Sequence, residues 1–184
     1  MAQEHLQKLN ELILEAAQQI ASDLHLSPGH YPTMRIDGRL VPMSDQQILD
    51  YNFLNEMVLA ALGPERTEKF LKEFENDFTY QVDEQLRCRV NAYKTRSYLA
   101  LTLHFIPPVI KTIEELGLPS TVKLFTKLSQ GFILVVGPNG HGKSTTLASM
   151  INEINRERTT KIIAVEDPIE YVFPPYQSII DQRE

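Results

Sequence analysis

One stretch in the second half of the sequence has the residue types and spacing of a loop that binds phosphate. Residues 137–144 read Gly-Pro-Asn-Gly-His-Gly-Lys-Ser and fit the pattern G-x-x-x-x-G-K-[ST] at every fixed position. The glycines allow a tight turn whose backbone N–H groups converge on a phosphate, while Lys143 reaches the β and γ oxygens of a triphosphate. The Ser144 hydroxyl can join the coordination shell of Mg²⁺. The spacing therefore predicts a site for a nucleoside triphosphate.

The flanks of this phosphate loop have the patterns of a strand and a helix. Residues 132–136 upstream (Phe-Ile-Leu-Val-Val) form a continuous apolar run, typical of a strand buried on both faces. Downstream, apolar residues recur at helical spacing between residues 143 and 155: Leu147, Met150, Ile151 and Ile154. The loop should therefore open a helix, and the positive end of the helix dipole favours a phosphate.

A cluster of carboxylates follows a second apolar run, residues 161–165, and consists of Glu166, Asp167 and Glu170. With the first run and the helix between them, this run predicts a right-handed βαβ unit. The carboxylates would then lie beside the phosphate-loop strand, at the sheet edge where ligands bind. They could position Mg²⁺ or polarise the water that attacks the γ-phosphate. The alternative is a simple strand-end turn made by Asp167-Pro168.

Three arginines form a second candidate group. Arg87 and Arg89 share one face of a predicted strand, and Arg96 lies at the adjacent hairpin tip. In a ring of subunits, arginines of one protomer can complete the nucleotide site of the next. The spacing alone favours the alternative, a solvated strand face with surface ion pairs.

The first 62 residues have the patterns of two helices and a hairpin. Residues 1–21 carry apolar side chains at helical spacing: Leu6, Leu9, Ile13, Ala17 and Ile20. Asp37-Gly38 between two short apolar runs is a strong hairpin turn. Ser44 and Gln47 have the spacing of a capping box, which predicts a helix that begins there and ends at Gly63-Pro64.

The next segment predicts a helix followed by an antiparallel meander. Pro64 suits the first turn of a helix, in which Phe70 and Phe74 lie four residues apart and can pack together. The hydrophobic period then changes to two over residues 78–82, 86–92 and 99–105. Cys88 alternates with apolar neighbours there, so it is expected to be a small buried side chain rather than a nucleophile. A small α+β domain results.

Composition limits the classes of protein to consider. The net charge is −6 and the pI about 5.4, which argues against a surface that binds nucleic acid. The apolar runs are far shorter than a membrane span, and the sequence starts without the pattern of a secretory signal, so we expect a cytosolic protein. Prolines and glycines place a domain boundary within residues 107–120.

Several motifs together resemble a known family. GPNGHGKSTT, IIAVEDPIEYVF and IIDQRE, preceded by ASDLHL, MRIDG and RCRVNAY, resemble the type IV pilus retraction ATPases of the PilT type, within the bacterial type II/IV secretion ATPase superfamily. The resemblance runs over residues 21–184. It implies an α+β N-terminal PAS-like domain (1–107), a linker (108–120) and the start of an α/β RecA-like P-loop NTPase domain (121–184).

The resemblance also implies a function. It is that of a cytoplasmic homo-hexameric motor, peripheral at the inner-membrane pilus base, which retracts pili through an inner-membrane platform protein and powers twitching motility. ATP and Mg²⁺ would bind in the cleft between the two domains. Neither nucleic acid nor membrane insertion is implied.

By position, the resemblance assigns roles to individual residues. The Walker A loop that binds the cofactor matches Gly137, Pro138, Asn139, Gly140, His141, Gly142, Lys143, Ser144 and Thr145. Ser144 corresponds to the Mg²⁺ ligand. The residues implied in catalysis are Lys143, the acidic box Glu166, Asp167 and Glu170, and the arginines Arg89 and Arg96.

The sequence also departs from the family pattern. Asn139 and His141 stand where the family usually has Thr and Ser, and His104 and Gln130 stand where it often has arginines. The family continues through a Walker B segment with the catalytic glutamate, so the chain resembles a fragment and is expected to be a poor ATPase alone.

Other functions remain open from the sequence. One is a pilus assembly or type II secretion ATPase, although the early position of the SDLHL segment favours the retraction branch. Another is a nucleotide-binding accessory protein with little turnover. DNA translocation is disfavoured by the charge balance.

Overall fold

The computed structural model describes residues 2–83, 86–138 and 140–183, which divide into two compact units, Met1–Ile106 and Pro107–Glu184. The elements of the first unit are α1 (Ala2–Gln18), β1 (Asp23–Leu26), β2 (Thr33–Ile36), β3 (Arg39–Pro42), α2 (Tyr51–Glu73), β4 (Glu75–Gln81), β5 (Arg87–Thr95) and β6 (Tyr98–Ile106). Those of the second are α3 (Ser120–Phe125), α4 (Lys143–Glu157), β7 (Lys161–Val165) and β8 (Ile179–Arg183).

The first unit is built on an antiparallel sheet with the strand order β3-β2-β1-β6-β5-β4. The predicted hairpin is confirmed: Ile36 pairs with Arg39, and both turn residues between them have positive φ, 48° at Asp37 and 77° at Gly38. The predicted meander is also confirmed as β4, β5 and β6. Apolar side chains of the sheet form one core with those of α1 and α2.

Helix α1 ends earlier than the sequence pattern predicts. Its buried residues are His5, Leu9, Leu12, Ile13 and Ala16. The N–H of Ala21 donates to the carbonyl of Ala16 at 3.1 Å, and that of Ile20 to the carbonyl of Ala17 at 3.0 Å. These are the two bonds of a Schellman motif, with Ile20 in the left-handed region at φ 55°. Ile20 is therefore exposed, and its assignment to the apolar face was wrong.

Helix α2 begins at Tyr51 and not after Ser44, so the predicted capping box is wrong. Asp50 is the N-cap, and its Oδ1 accepts from the N–H groups of Asn52 at 2.9 Å and Phe53 at 3.1 Å. The predicted break at Gly63-Pro64 is present as a kink, with Gly63 at φ 72°. Beyond it, the rings of Phe70 and Phe74 meet edge to face, 6.5 Å apart, as predicted.

A pair of alanine variants tests this N-cap assignment. Asp50→Ala removes the acceptor for two orphan N–H groups and is expected to lower the free energy of unfolding by about 1 kcal/mol. Ser44→Ala, the matched control, should change it by less than about 0.5 kcal/mol, as for an ordinary surface position. Urea unfolding followed by circular dichroism measures both. Equal effects of the two substitutions would contradict the assignment.

The second unit differs from the predicted βαβ unit. Residues 132–136 are not a strand in the structure, and Phe132 and Leu134 are 88% and 70% exposed. Strand β7 pairs in parallel with β8 instead, with Lys161 opposite Ile179. Within the described ranges no strand pairs with residues 132–136. A strand needs a hydrogen-bonded neighbour, and this apolar run has none among the described strands. Its prediction as a buried strand was therefore wrong.

Helix α4 forms as predicted but buries a partly different face: of the predicted apolar residues, Met150 is buried. Leu147 is 42% exposed. The buried residues are Ala148, Ser149, Met150, Asn152, Glu153 and Asn155. Two of the polar ones contact neighbouring segments: Asn155 Nδ2 donates to the carbonyl of Pro174 at 2.8 Å, and Glu153 forms an ion pair with Lys123 of α3. These contacts, which periodicity cannot reveal, fix the rotation of the helix about its axis.

In the part of the chain that the structure describes, none of the helices is long and apolar enough to cross a membrane.

Candidate phosphate-binding site

The phosphate loop ends where α4 begins, at Lys143. Gly142 is the N-cap, with φ 78° and ψ 18°, and Gly140 has φ 75°. This left-handed conformation favours glycine at both positions. An α-helix leaves its first N–H groups without intrahelical acceptors, and in the described part of the chain the N-cap of α4, Gly142, makes no side-chain capping bond to them. The result is a set of backbone donors and a positive dipole end directly after a glycine-rich loop.

The Lys143 side chain folds back over this loop. Its Nζ donates to the carbonyl oxygen of Pro138 at 2.9 Å. Ser144, the next residue of the first turn, is exposed. The predicted site residue Asn139 lies outside the described residues. A backbone carbonyl thus holds the ammonium group above the loop. An anionic oxygen can take the place of this carbonyl as the hydrogen-bond acceptor.

The predicted acidic residues lie at the carboxyl end of β7. Glu166 is held firmly, because its Oε1 accepts from Gln182 Nε2 at 2.8 Å and its backbone N–H donates to the carbonyl of Arg183 at 2.9 Å. Its Oε2 also accepts from the N–H of Glu170 at 3.4 Å. Asp167 is exposed. The neighbouring strand is β8, so the predicted position of these carboxylates beside a strand at residues 132–136 was wrong.

A contact joins the acidic segment, residues 166–171, to the phosphate-loop helix. The Tyr171 hydroxyl, next in sequence to Glu170, lies 3.1 Å from Oγ1 of Thr145 in the first turn of α4. Tyr171 and Gln182 were not identified from the sequence. A tyrosine and a glutamine carry no spacing signal for such a role, and only the fold brings them to the loop.

The three arginines of the sequence prediction, Arg87, Arg89 and Arg96, lie in the first unit. Arg89 Nη2 forms an ion pair with Asp77 Oδ2 at 3.2 Å across β4 and β5. Arg96 is at the β5–β6 turn with φ 56°. His104, where the resemblance leads us to expect an arginine, lies with its Nδ1 3.1 Å from Asp23 Oδ1. The surface ion pair expected as the alternative for these arginines is therefore present at Arg89.

Other titratable residues of the first unit have structural surroundings. Burial raises the pKa of the Cys88 thiol to about 12, which keeps it protonated and unreactive at neutral pH. Burial also lowers the pKa of His25, whose Nδ1 lies 3.4 Å from Oγ1 of Thr102. Across residues 2–83, 86–138 and 140–183, no group of three or more His, Cys, Asp or Glu is arranged to hold a metal ion.

Comparisons with known proteins identify the family. The model of the family described as Type II/IV secretion system protein matches residues 2–180, so the chain belongs to this family. The chain is 36% identical to the type IV pilus retraction ATPase PilT of Pseudomonas aeruginosa, an alignment that covers 96% of this chain and 51% of PilT. The resemblance to PilT-type ATPases inferred from the sequence motifs is thereby confirmed.

One further relative and one solved structure are also similar to this chain. The type IV pilus ATPase PilU of the same organism is 34% identical, over 97% of this chain and 46% of PilU. A crystal structure of the pilus retraction motor PilT with bound ADP superposes with a TM-score of 0.86 at 38% identity, over 95% of this chain and 51% of that one. The chain therefore has the fold of the corresponding half of that motor and spans about half the length of these relatives.

Proposed function

We propose that this chain binds ATP with Mg²⁺ and is part of a PilT-type hexameric ATPase that powers type IV pilus retraction. The observation that carries the proposal is the uncapped amino end of α4 behind a glycine-rich loop, with the Lys143 ammonium folded over that loop. The family membership and the ADP bound in the related PilT structure support it.

The residues present fit a Mg²⁺–nucleotide complex. The Ser144 hydroxyl and the Glu166 and Asp167 carboxylates are oxygen donors of the kind that Mg²⁺ prefers. This ion usually uses one or two protein groups together with phosphate oxygens and water. The absence of a metal cage among the described residues is compatible with that mode. When bound, Mg²⁺ would supply charge neutralisation on the phosphate oxygens.

In the proposed mechanism, this chain's residues bind the phosphates and orient the groups around them. The first-turn N–H groups of α4 and the Lys143 ammonium would hold the β and γ oxygens. Glu166, Asp167 and Glu170 would orient water near the γ-phosphate. Arg89 and Arg96 would act on a neighbouring protomer's nucleotide and stabilise charge on the transferring group.

The proposed architecture follows the family. Residues 1–107 would be a PAS-like domain, 108–120 a linker, and 121–184 the beginning of a RecA-like domain. The whole protein would be a homo-hexamer on the cytoplasmic side of the inner membrane, against the pilus platform protein. In the proposed whole protein, a Walker B segment would supply the catalytic glutamate.

A nucleotide-binding protein with little turnover is the alternative that one observation favours. Asp23 holds His104 on the sheet face where the family often has an arginine. An arginine is always charged, whereas a histidine is charged only in its protonated form. In this alternative the phosphate loop would bind nucleotide with the same groups, and hydrolysis by the hexamer would be weak.

Titration of the chain with adenosine, AMP, ADP and the slowly hydrolysed analogue ATPγS tests the proposal. Because the site is built for phosphate, the affinity in the presence of Mg²⁺ should rise along this series. Charge-assisted hydrogen bonds contribute about 1.5–3 kcal/mol each, so ATPγS should bind at least about tenfold more tightly than adenosine. Isothermal titration calorimetry measures each affinity. Equal affinity for adenosine and ATPγS, or no binding of either, would contradict the proposal.

A further inference from the structure

The side chain of Gln182 on β8 holds two points of the acidic segment together. Its Nε2 donates to Oε1 of Glu166 at 2.8 Å and to the carbonyl oxygen of Tyr171 at 2.7 Å. An amide nitrogen has two N–H groups, and both are used here. Its Oε1 accepts from the N–H of Phe173 at 3.5 Å. One glutamine thus fixes a carboxylate relative to the backbone five residues further on.

The same segment is tied to the first turn of α4. The Tyr171 hydroxyl lies 3.1 Å from Oγ1 of Thr145, and the tyrosine is buried. Thr145 follows Ser144, the proposed Mg²⁺ ligand. A continuous series of contacts therefore runs from the Glu166 carboxylate through Gln182 and Tyr171 to the phosphate-loop helix.

The Gln182 amide supplies the two donors and the acceptor that these contacts use. A second contact of the Glu166 carboxylate, from the Glu170 N–H, is longer at 3.4 Å, so the bond from Gln182 is the shorter constraint on its orientation. The terminal torsion of a glutamate is otherwise broad and close to two-fold. A methionine at position 182 would fill similar space but donate no hydrogen bond.

We propose that Gln182 and Tyr171 are positioning residues for the nucleotide site: Gln182 fixes the Glu166 carboxylate, and Tyr171 ties it to the α4 turn that holds Mg²⁺ and phosphate. This inference rests on the proposed function. Because the carboxylate acts on Mg²⁺ and its water ligands, its orientation should matter for the Mg²⁺-dependent part of nucleotide affinity. The binding of metal-free nucleotide by the loop and Lys143 should not depend on it.

Calorimetric titration with ATPγS, once with Mg²⁺ and once with EDTA, separates these two parts. Gln182→Met should lower the affinity with Mg²⁺ about tenfold, as is typical when a group that orients a metal-site carboxylate is removed, and leave the affinity in EDTA unchanged. Tyr171→Phe keeps the ring and loses one neutral hydrogen bond, so it should lower the Mg²⁺-dependent affinity about threefold. Gln177→Met is the matched control, because it makes the same chemical change at an exposed glutamine just before β8.

The outcomes are distinct. If Gln182→Met weakens binding equally with Mg²⁺ and with EDTA, or leaves both unchanged, the positioning role is wrong. Circular dichroism verifies that each variant is folded. If Gln182→Met does not fold, the milder Tyr171→Phe still tests the inference. Failure of the unsubstituted chain to bind ATPγS would instead overturn the proposed function, and the inference with it.

Discussion

Lys143→Ala is expected to lower the affinity of the chain for ATPγS about 10- to 100-fold, the effect of removing one or more charge-assisted hydrogen bonds to phosphate. The ammonium group is folded over the loop and donates to a backbone carbonyl of that loop, at Pro138. A phosphate oxygen is a stronger partner because it carries charge. The same substitution should change the free energy of unfolding by less than about 0.5 kcal/mol, since the lysine is not part of a core.

A matched lysine and a conservative substitution make this result specific. Lys127→Ala removes the same charge from an exposed position in the same unit and should leave the affinity nearly unchanged. Lys143→Arg keeps the charge but replaces a compact ammonium by a planar fork, so it should restore only part of the binding. Calorimetry at two salt concentrations separates the local loss from general screening. Similar losses for Lys143→Ala and Lys127→Ala would mean that the nucleotide is held only by diffuse charge.

The parts of the fold that follow from local signals could be predicted from the sequence. The Asp37-Gly38 turn specifies its own hairpin, because both residues tolerate positive φ. The three strands of the meander follow from a period of two that no helix shares. The start of α4 follows from the glycines and the lysine of the phosphate loop.

The predictions that were wrong concern features that depend on partners distant in the sequence or on competing local signals. Residues 132–136 have the composition of a buried strand, but a strand forms only against a neighbour. The capping-box spacing of Ser44 and Gln47 predicted the wrong start for α2, because Asp50 is also a good N-cap residue and is the one that the chain uses. Ile20 occupies a left-handed position at which glycine is usual. Because no glycine marks the end of α1, the sequence pattern predicted a longer helix.

The candidate site shows the same division. Its loop residues are predicted from their spacing, whereas the contacts that fix the Glu166 carboxylate are not. Gln182 reaches Glu166 only because β8 pairs in parallel with β7. Tyr171 reaches Thr145 only because the segment after β7 returns to α4. Pairings of this kind are set by tertiary packing, on which a single sequence gives little information.

The second large effect concerns the core of the first unit. Leu54 and Leu71 both belong to α2, but Leu54 is fully buried and Leu71 is 53% exposed. The Leu54 side chain belongs to the cluster that joins the sheet to the two helices. Leu54→Ala is expected to lower the free energy of unfolding of this unit by about 2–5 kcal/mol, from lost burial and from the cavity left behind.

Leu71→Ala is the control for this substitution, since it makes the same chemical change on the same helix. It should cost less than about 1 kcal/mol, because most of its side chain is already in contact with water. Hydrogen exchange of the β1 and β6 amides reports the opening free energy of this unit directly. Small domains are stable by only about 5–15 kcal/mol, so the Leu54 variant should also exchange measurably faster throughout the sheet. Equal protection of the two variants would mean that α2 does not hold the sheet through Leu54.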